Sequence, residues 1–342
     1  MLPESFRAIR VSLDGDQAAL MDLQSCRPVD LPEGRLTVAV HWSSLNYKDA
    51  LSSRGNRGVT REYPHTPGID AAGVVLAGDD PAPGEAVIVQ GHDFGMNTWG
   101  GWSELVRVPR EWVVPLPSGL SPRQAMAYGT AGFAAALAVE RLEPLLPPED
   151  DADEPLVVTG AGGGVGSIAV AMLAARGYRV AACTGKAGNE VWEEYLRSLG
   201  AADVLPREEL ENDAGRPIAR SRWRGGIDTT GGSLLSGLIK GCRYGGAVAA
   251  CGLTQSAELP LTVYPFILRN VSLLGIDSVE VPAAVRSRVW SRIADDLRCP
   301  AIEAQAHAVS LGELDTAVEK LMQGEHGGRT LVRVLGDAAG RG

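Results

Sequence analysis

The sequence predicts an α/β protein with two domains, one a doubly wound parallel sheet and the other a β-rich barrel. Two observations support this fold class. Up to residue 122, short apolar runs are separated by turn residues, a pattern typical of antiparallel strands. From residue 156 onward, apolar strands alternate with helical segments. Because successive parallel strands need a crossover connection, this alternation predicts a parallel sheet covered by helices.

Three strands are predicted in the N-terminal part, at residues 36–42, 73–76 and 84–89. The third emerges from the turn Pro-Ala-Pro-Gly, in which proline and glycine favour a reversal of the chain. From Pro122 the pattern changes, and the alanine-rich residues 124–141 predict a helix. The acidic run 147–154 that follows is expected to be an exposed loop.

Glycines cluster directly after the strand 156–159, at positions 160, 162, 163, 164 and 166. A helix is expected to open near Gly164 and to end before Gly177. In such a unit, backbone N–H groups lie close to a pyrophosphate, and the positive end of the helix dipole stabilises the negative charge of the phosphates. The segment therefore predicts a dinucleotide site. Its spacing G-x-x-G-x-x-G departs from the standard fingerprint, and the alternative is a loop that only turns the chain.

The end of the next strand, 178–183, indicates which cofactor is bound. Folds of this type carry an acidic residue about 20 residues after the glycines, which binds the adenosine ribose and repels a 2′-phosphate. This chain has Thr184-Gly185-Lys186 there. A hydroxyl, a free backbone and a cation suit a phosphate dianion, so the sequence favours NADPH over NADH. The alternative is that Lys186 is a solvated surface residue.

The rest of the chain continues the alternation of strands and helices. Helices are predicted at 192–199, 234–242, 285–297 and 311–322, and strands at 203–205, 226–230, 247–251, 270–276 and 330–334. The strand at 270–276 either ends the parallel sheet or pairs across a dimer. The C-terminal strand is expected to return to the first domain, and residues 336–342 to form a frayed tail.

Composition bounds the function. The 342 residues are 45% hydrophobic and 22% charged, which is ordinary for a globular protein. The net charge of −10 disfavours nucleic acid and anionic membrane surfaces as partners, because both bind basic faces. The sequence has no run of 18 apolar residues and no signal-peptide core, so we expect a cytoplasmic protein with no membrane partner.

The cysteines and histidines do not predict a metal site. Five cysteines, at 26, 183, 242, 251 and 299, form no C-x-x-C pair, a pattern that favours reduced, buried thiols. The five histidines are scattered, at 41, 65, 92, 307 and 326. Each is expected to be a packed or surface residue.

Short segments distributed along the chain carry a family resemblance. They are S-S-L-N-Y-K-D-A-L at 43–51, T-P-G-I-D-A-A-G at 66–73, Y-G-T-A-G-F at 128–133, T-G-A-G-G-G-V-G at 159–166, A-C-G-L at 250–253, P-F-I-L-R-N-V at 265–271, G-I-D-S-V at 275–279 and G-R-T-L-V at 328–332. Together they resemble the medium-chain dehydrogenase/reductase superfamily over essentially the whole chain. The finer similarity is to its quinone oxidoreductase-like branch and, within that, to the acrylyl-CoA reductase group.

The resemblance implies a division into domains. It implies a Rossmann domain that binds NADPH at residues 126–276, and a GroES-like catalytic domain, the β-rich barrel, at residues 1–125 and 277–342. We also expect a homodimer, joined through the strand near residues 270–276.

Two positions depart from the zinc-dependent members of this superfamily. Those members place a cysteine three residues before the aspartate that is Asp49 here, and a Gly-His-Glu where this chain has Gly68-Ile69-Asp70. Asn46 and Ile69 stand at the two ligand positions, whereas a catalytic zinc needs about three ligands of the Cys, His or carboxylate type. The resemblance therefore implies hydride transfer without a metal.

Tyr47 is expected first to contact the nicotinamide or the substrate, and it is also the candidate catalytic residue, as a proton donor. Reduction of an α,β-unsaturated thioester needs oriented reactants, hydrogen-bond donors for the developing enolate, and a proton for the α-carbon. A phenol is protonated at neutral pH and can supply that proton. The alternative is a tyrosine packed beneath the cofactor without chemistry. Asn46, Asp49 and Arg54 recur in this branch, either for function or to hold the loop.

The resemblance also implies cofactor contacts at individual positions. They are Thr130 near the nicotinamide amide, Gly163, Gly164, Val165 and Gly166 at the pyrophosphate, Thr184, Gly185, Lys186 and Arg207 around the adenosine phosphate, and Leu253, Ile267 and Ser278 at the nicotinamide end. For Leu253 and Ile267, core packing is the alternative. Residues 187–191 lengthen the loop after Lys186 relative to the family pattern.

These features lead to an expected function with two alternatives. The expectation is an NADPH-dependent, zinc-independent reductase of a short α,β-unsaturated acyl-CoA such as acryloyl-CoA. One alternative is an NADPH reductase of quinones or free enals, and the other is a non-catalytic NADPH-binding module. The CoA phosphates have no marked basic cluster to receive them, and Arg54, Arg57 and Arg61 are the candidates.

Overall fold

Two compact units divide the chain. The computed structural model describes residues 2–13, 19–147, 153–212, 215–325 and 327–336. Unit 1 contains Met1–Thr130, Val279–Asp295 and Gln305–Gly342, and unit 2 contains Ala131–Ser278 and Asp296–Ala304. Unit 2 thus includes Asp296–Ala304, a segment inside the range that the sequence assigns to the catalytic domain.

Strands and helices have the following bounds. The strands are β1 Phe6–Leu13, β2 Ala19–Cys26, β3 Leu36–Leu45, β4 Asp70–Ala77, β5 Ala86–Gln90, β6 Leu105–Val108, β7 Val113–Pro115, β8 Leu156–Thr159, β9 Val180–Cys183, β10 Asp203–Leu205, β11 Trp223–Asp228, β12 Cys242–Ala250, β13 Ser272–Gly275, β14 His307–Ser310 and β15 Thr330–Arg333. The α-helices are α1 Tyr47–Ser53, α2 Pro122–Leu142, α3 Gly164–Ala175, α4 Glu190–Ser198, α5 Glu208–Glu211, α6 Gly232–Lys240, α7 Tyr264–Arg269, α8 Ala283–Ala294, α9 Pro300–Gln305 and α10 Leu314–Met322. Short 3₁₀ helices lie at Pro28–Asp30, Arg110–Trp112 and Leu311–Glu313.

Unit 2 contains the predicted doubly wound sheet. Its six strands lie in the order β10-β9-β8-β11-β12-β13, and all neighbours are parallel. Counted from β8, this is the order 3-2-1-4-5-6 of a Rossmann fold. Every residue of β8 and β9 is buried, as expected for parallel strands covered on both faces. The prediction of this fold class is confirmed.

Unit 1 contains the predicted β-rich domain. Seven strands form a sheet in which β14, β15, β3, β4, β5 and β7 follow one another and β6 also pairs with β3. All these pairs are antiparallel except β14 with β15. β1 and β2 form a separate hairpin. Because β15 pairs with β3, the end of the chain joins the N-terminal sheet, around a core that includes Phe94 and Trp102.

Three local differences from the sequence prediction matter for the site. The helix expected at 124–141 is broken at Gly129, whose φ of 53° and ψ of −153° are not helical. The helix α1 is not predicted, because its short sequence carries no clear apolar period; Asn46 and Asp49 form a capping box that begins it. The strand expected at 226–230 ends at Asp228, so the two following threonines lie in a turn.

Two other expectations lie mostly outside the described residues. Of the acidic run 147–154, only Pro147, Asp153 and Glu154 are described, and of the tail only Gly336.

Candidate functional site

The glycine-rich loop leaves the carboxyl end of β8 and leads into α3. Gly160 has a φ of 60°, a left-handed conformation that favours glycine. Gly163 is the N-cap residue of α3. A Cβ at Gly166 would lie 2.3 Å from the carbonyl oxygen of Gly160, so the helix can approach the loop this closely only with glycine there. The three glycines of the unusual spacing therefore serve a turn, a cap and a close approach.

A buried network holds this loop. Asp228, the last residue of β11, accepts hydrogen bonds from the Thr159 hydroxyl at 2.6 Å and from the backbone N–H of Gly231 at 2.7 Å. The Thr159 hydroxyl in turn accepts the backbone N–H of Thr229 at 3.0 Å. Burial raises the pKa of the Asp228 carboxyl. The network joins the turn after β8 to the turn after β11.

The first turn of α3 has backbone N–H groups with no acceptor in the helix. We call this turn and the glycine-rich loop before it the cradle. The N–H groups at the start of an α-helix have no acceptor in their own helix, and in α3 these belong to Gly164, Val165 and Gly166. The positive end of the helix dipole lies at the same place. The loop and helix can therefore bind the pyrophosphate of a dinucleotide.

Two cationic side chains flank Gly185, directly after β9. A Cβ at Gly185 would lie 2.9 Å from Cζ of Arg207, so the guanidinium crosses the backbone at this point. The backbone N–H of Lys186 donates to Oγ1 of Thr184 at 3.3 Å, and burial lowers the pKa of the Lys186 amino group. The structure thus brings together the four residues that the sequence assigns to the adenosine phosphate.

Trp192 lies in the same place, although the sequence assigned it no role. Its ring centroid is 3.4 Å from Nζ of Lys186. Its Cζ3 atom would be 3.2 Å from a Cβ at Gly162. An aromatic residue early in α4, just after a lengthened loop, is the signal that could have indicated this contact.

A second set of predicted residues meets in unit 1, where α1 begins. The Asp49 carboxylate accepts the backbone N–H of Asn46 at 2.8 Å and its side-chain amide at 3.1 Å. Its other oxygen accepts the N–H groups of Gly68 at 3.1 Å and Ile69 at 2.8 Å. These four donors tie the start of α1 to the segment before β4. Tyr47, the first residue of α1, is 46% exposed.

Asp70 and Arg329 extend this network to Thr130. Asp70 accepts hydrogen bonds from the Ser44 hydroxyl at 2.8 Å, the Asn46 amide at 3.2 Å and the backbone N–H of Thr130 at 2.7 Å. Arg329 donates to the Asn46 side-chain oxygen at 3.0 Å and to the Ser44 hydroxyl at 2.7 Å. One hydrogen-bonded set therefore holds both the start of α1 and Thr130. Neither Asp70 nor Arg329 is singled out by sequence, although both lie in the family-like motifs.

Burial dominates the electrostatics of this network. Together with a smaller effect of the neighbouring Asp70 carboxylate, it raises the pKa of Asp49 to about 7, against the opposite effect of the hydrogen bonds from Asn46 and Ile69. Arg329 is buried as well. Its guanidinium brings positive charge into the same hydrogen-bonded network, through Ser44 and Asn46.

Comparison with known proteins identifies the family. Residues 32–118 match the alcohol dehydrogenase GroES-like domain, and residues 164–295 match zinc-binding dehydrogenase. The probable acrylyl-CoA reductase AcuI of Escherichia coli (strain K12) is 46% identical over 321 residues, which cover 93% of this chain and 97% of that protein. The chain belongs to the medium-chain dehydrogenase/reductase superfamily. It is therefore an oxidoreductase, and the resemblance drawn from the motifs is confirmed.

Other members of this superfamily are similar over the same extent. One bears the name "Putative quinone oxidoreductase YhfP" in Bacillus subtilis (strain 168), and it is 43% identical over 96% of this chain and 99% of that protein. The crystal structure of yhfP has NAD bound and aligns with a TM-score of 0.91. The yhdH oxidoreductase from Salmonella enterica, crystallised in complex with NADP, is 44% identical with a TM-score of 0.90 and covers 96% of this chain and 99% of that one.

The family description includes zinc, and the residues of this chain do not fit that metal. Asn46 and Ile69 offer no thiolate or imidazole at the two ligand positions. Both oxygens of Asp49 already accept hydrogen bonds from the protein. Within the described ranges, no group of three or more His, Cys, Asp or Glu side chains is placed to hold a metal ion.

The residues do fit the dinucleotide that the family implies. In unit 2 the cradle and the two cations near Gly185 supply the donors that phosphate groups need. In unit 1 the Thr130 hydroxyl is buried and has no hydrogen-bond partner among the described residues. It is a polar atom still without a partner, at the position that the resemblance assigns to the nicotinamide amide.

The remaining predicted residues are Leu253, Ile267, Ser278 and Arg54. Leu253 and Ile267 are 67% and 72% exposed, which argues against the alternative that they pack in the core. Ser278 is partly buried. Arg54 forms a 2.7 Å ion pair with Asp315, so one of the three arginines considered for CoA phosphates is already paired with a carboxylate.

No helix among the described segments combines the length and the apolar character that crossing a membrane requires.

Proposed function

We propose that this protein reduces the carbon–carbon double bond of a short α,β-unsaturated acyl-CoA with NADPH and without zinc, as in the conversion of acryloyl-CoA to propanoyl-CoA. The observation that carries the proposal is the donor set in unit 1. Where zinc-dependent relatives hold a metal, both oxygens of the Asp49 carboxyl group accept protein N–H groups, and an exposed tyrosine follows Asn46. Such a site can polarise a substrate only through hydrogen bonds.

NADPH, when bound, supplies the hydride. Gly164, Val165 and Gly166 would hold its pyrophosphate through backbone amides at the start of α3. Gly163, whose N–H donates to the Gly160 carbonyl oxygen at 2.9 Å, would let the backbone approach the pyrophosphate closely. Thr184, Gly185, Lys186 and Arg207 would hold the 2′-phosphate, because a dianion gains charge-assisted hydrogen bonds from two cations. Thr130 would bind the nicotinamide amide, and Leu253, Ile267 and Ser278 would contact the nicotinamide end.

On the substrate side, Tyr47 is the group that donates. Hydride addition at the β-carbon leaves negative charge on the thioester oxygen, and the α-carbon must then gain a proton. The hydroxyl of the partly exposed Tyr47 can hydrogen-bond the developing enolate or deliver that proton. The buried network of Asp49, Asn46 and Arg329 fixes the backbone from which Tyr47 extends.

The second candidate is reduction of quinones or free enals with the same cofactor. The name of the Bacillus subtilis relative, at 43% identity, favours it. It uses the same cradle and phosphate residues and differs only in what accepts the hydride.

Substrate-dependent oxidation of NADPH distinguishes these reactions. Purified full-length protein would be assayed with acryloyl-CoA, with a quinone, with a free enal and with free acrylate, and each product identified. We expect turnover with acryloyl-CoA and none with acrylate, whose carboxylate cannot delocalise charge as a thioester does. Activity restricted to the quinone or the enal would establish the second candidate. Tight NADPH binding without oxidation of any substrate would establish a non-catalytic module.

A further inference from the structure

The loop after Lys186 folds back, so that the start of α4 lies near the Lys186 side chain. Asn189 is the N-cap residue of α4, and its side chain accepts the backbone N–H of Trp192 at 3.4 Å. The backbone N–H of Gly188 donates to the Glu193 carboxylate at 2.9 Å. These contacts place the third residue of α4 above the start of the loop.

The Trp192 side chain lies against both the glycine-rich loop and the residues proposed to hold the adenosine phosphate. Its ring centroid lies 3.4 Å from Nζ of Lys186, well within the range of a cation–π interaction. A Cβ placed on Gly162 would lie 3.2 Å from the six-membered ring of Trp192 and 3.7 Å from Oγ1 of Thr184. Tyr195, one turn further along α4, packs edge-on against the indole with ring centroids 6.0 Å apart.

We propose that Trp192 is a specificity-determining residue that holds the Lys186 ammonium in place for the 2′-phosphate of NADPH. The inference rests on the proposed use of NADPH. A lysine side chain loses much rotamer freedom when it is fixed on a ligand. The indole face restricts the rotamers of Lys186 before the cofactor binds. Binding of the cofactor then has a smaller cost in side-chain entropy.

An aromatic partner suits this task better than a carboxylate. A carboxylate beside Lys186 would neutralise the ammonium and repel the incoming phosphate. The indole attracts the cation through its ring quadrupole and carries no net charge. Glu193, the acidic residue that closes the loop, accepts the N–H of Gly188 and lies 3.8 Å from the Arg197 guanidinium. NADH lacks the 2′-phosphate and gains nothing from this arrangement.

Binding of phosphate-bearing fragments tests the inference directly. Calorimetric Kd values would be measured for 2′,5′-ADP and for 5′-AMP with the full-length protein and with Trp192→Ala, Trp192→Phe, Lys186→Ala and the double variant Trp192→Ala/Lys186→Ala. Val191→Ala, at an exposed neighbour in the same helix, is the matched control. Circular dichroism and the thermal midpoint confirm that each variant folds.

Trp192→Ala should weaken 2′,5′-ADP by about 2- to 30-fold, the range of a cation–π interaction, and leave 5′-AMP unchanged. Trp192→Phe should retain most of the affinity, and the double variant should bind no more weakly than Lys186→Ala. Two results for Trp192→Ala would overturn the role of Trp192 while leaving the proposed use of NADPH intact. These are equal weakening of both nucleotides, or no weakening while the wild-type protein still prefers 2′,5′-ADP. A wild-type protein that binds both fragments equally would overturn the proposed use of NADPH as well.

Discussion

At the scale of single residues, Tyr47 combines an exposed side chain with a firmly held backbone. Its neighbour Asn46 makes hydrogen bonds to Asp49, Asp70 and Arg329, whereas 46% of Tyr47 is exposed. A donor that reaches toward a substrate from a fixed backbone can be aimed without losing its freedom to transfer a proton. This arrangement fits the proposed role of Tyr47 as a hydrogen-bond or proton donor.

Replacing Tyr47 by phenylalanine removes the hydroxyl and keeps the ring. We expect kcat with acryloyl-CoA to fall about 10²-fold or more, the usual contribution of a positioned proton donor, while the KM for NADPH stays nearly unchanged. Steady-state kinetics measures both values. Tyr244→Phe, at a 73% exposed tyrosine in unit 2, is the control. A rise in KM for acryloyl-CoA with an unchanged kcat would make Tyr47 a binding residue only.

At the scale of elements, the cradle depends on how closely α3 approaches the turn after β8. An alanine normally stabilises the interior of a helix relative to glycine by roughly 0.5 to 1 kcal/mol. At Gly166 the added Cβ would lie 2.3 Å from the Gly160 carbonyl oxygen and 2.8 Å from Cα of Ala161. Because both contacts are with backbone atoms, the helix or the loop has to move.

Gly166→Ala should therefore destabilise the protein by about 1 to 3 kcal/mol, the range for overpacking, and weaken NADP⁺ at least about tenfold, since the amides of α3 shift away from the pyrophosphate. Thermal melts and calorimetric titration check the two effects. Gly312→Ala, where a Cβ meets nothing within 4 Å, should change neither. Wild-type affinity in a destabilised Gly166→Ala protein would show that the first turn of α3 does not bind the cofactor.

At the scale of the whole molecule, buried titratable groups make stability depend on pH in opposite directions. Burial lowers the pKa of His65 to about 4 from the ordinary value of 6.5, so the unfolded chain binds a proton there first. His65 therefore reduces stability as the pH falls from 6.5 through 4. Asp49 has its pKa raised to about 7 from 3.8, so its protonation adds stability as the pH falls through the same region.

Comparison of wild-type protein with His65→Gln isolates the histidine. Glutamine can still donate to the Gly95 carbonyl oxygen, which lies 3.0 Å from Nε2 of His65. Between pH 7.5 and pH 4.5 we expect wild type to lose about 2 to 3 kcal/mol relative to the variant, measured as unfolding free energies in urea. His307→Gln, at an exposed site, should show a smaller change. A constant difference across this pH range would mean that His65 is not kept neutral by burial.

The homodimer expected through the strand at 270–276 stays a prediction. The matching element, β13, lies at one edge of the sheet in unit 2, opposite the edge strand β10.

Several parts of the fold and the candidate site follow from local sequence alone. Apolar runs that alternate with helical segments indicate strands covered on both faces, and the glycines at 160–166 indicate a turn at the end of one such strand. The parallel sheet and its cradle are therefore predictable. Thr184, Gly185 and Lys186 are adjacent in sequence and follow a buried strand. Their proximity needs no knowledge of the tertiary structure.

Only the tertiary structure shows which distant side chains meet. Arg329 donates to Asn46 across 283 residues of sequence, and it does so because β15 pairs with β3. Trp192 reaches Lys186 because the intervening loop closes on itself, and Thr130 reaches Asp70 where α2 is broken. Periodicity records the burial of each element separately, whereas these contacts depend on strand pairing and on the path of loops. The sequence by itself therefore predicted the fold class and the residues that we propose to bind phosphate, and the packing of distant segments decided how those residues are held.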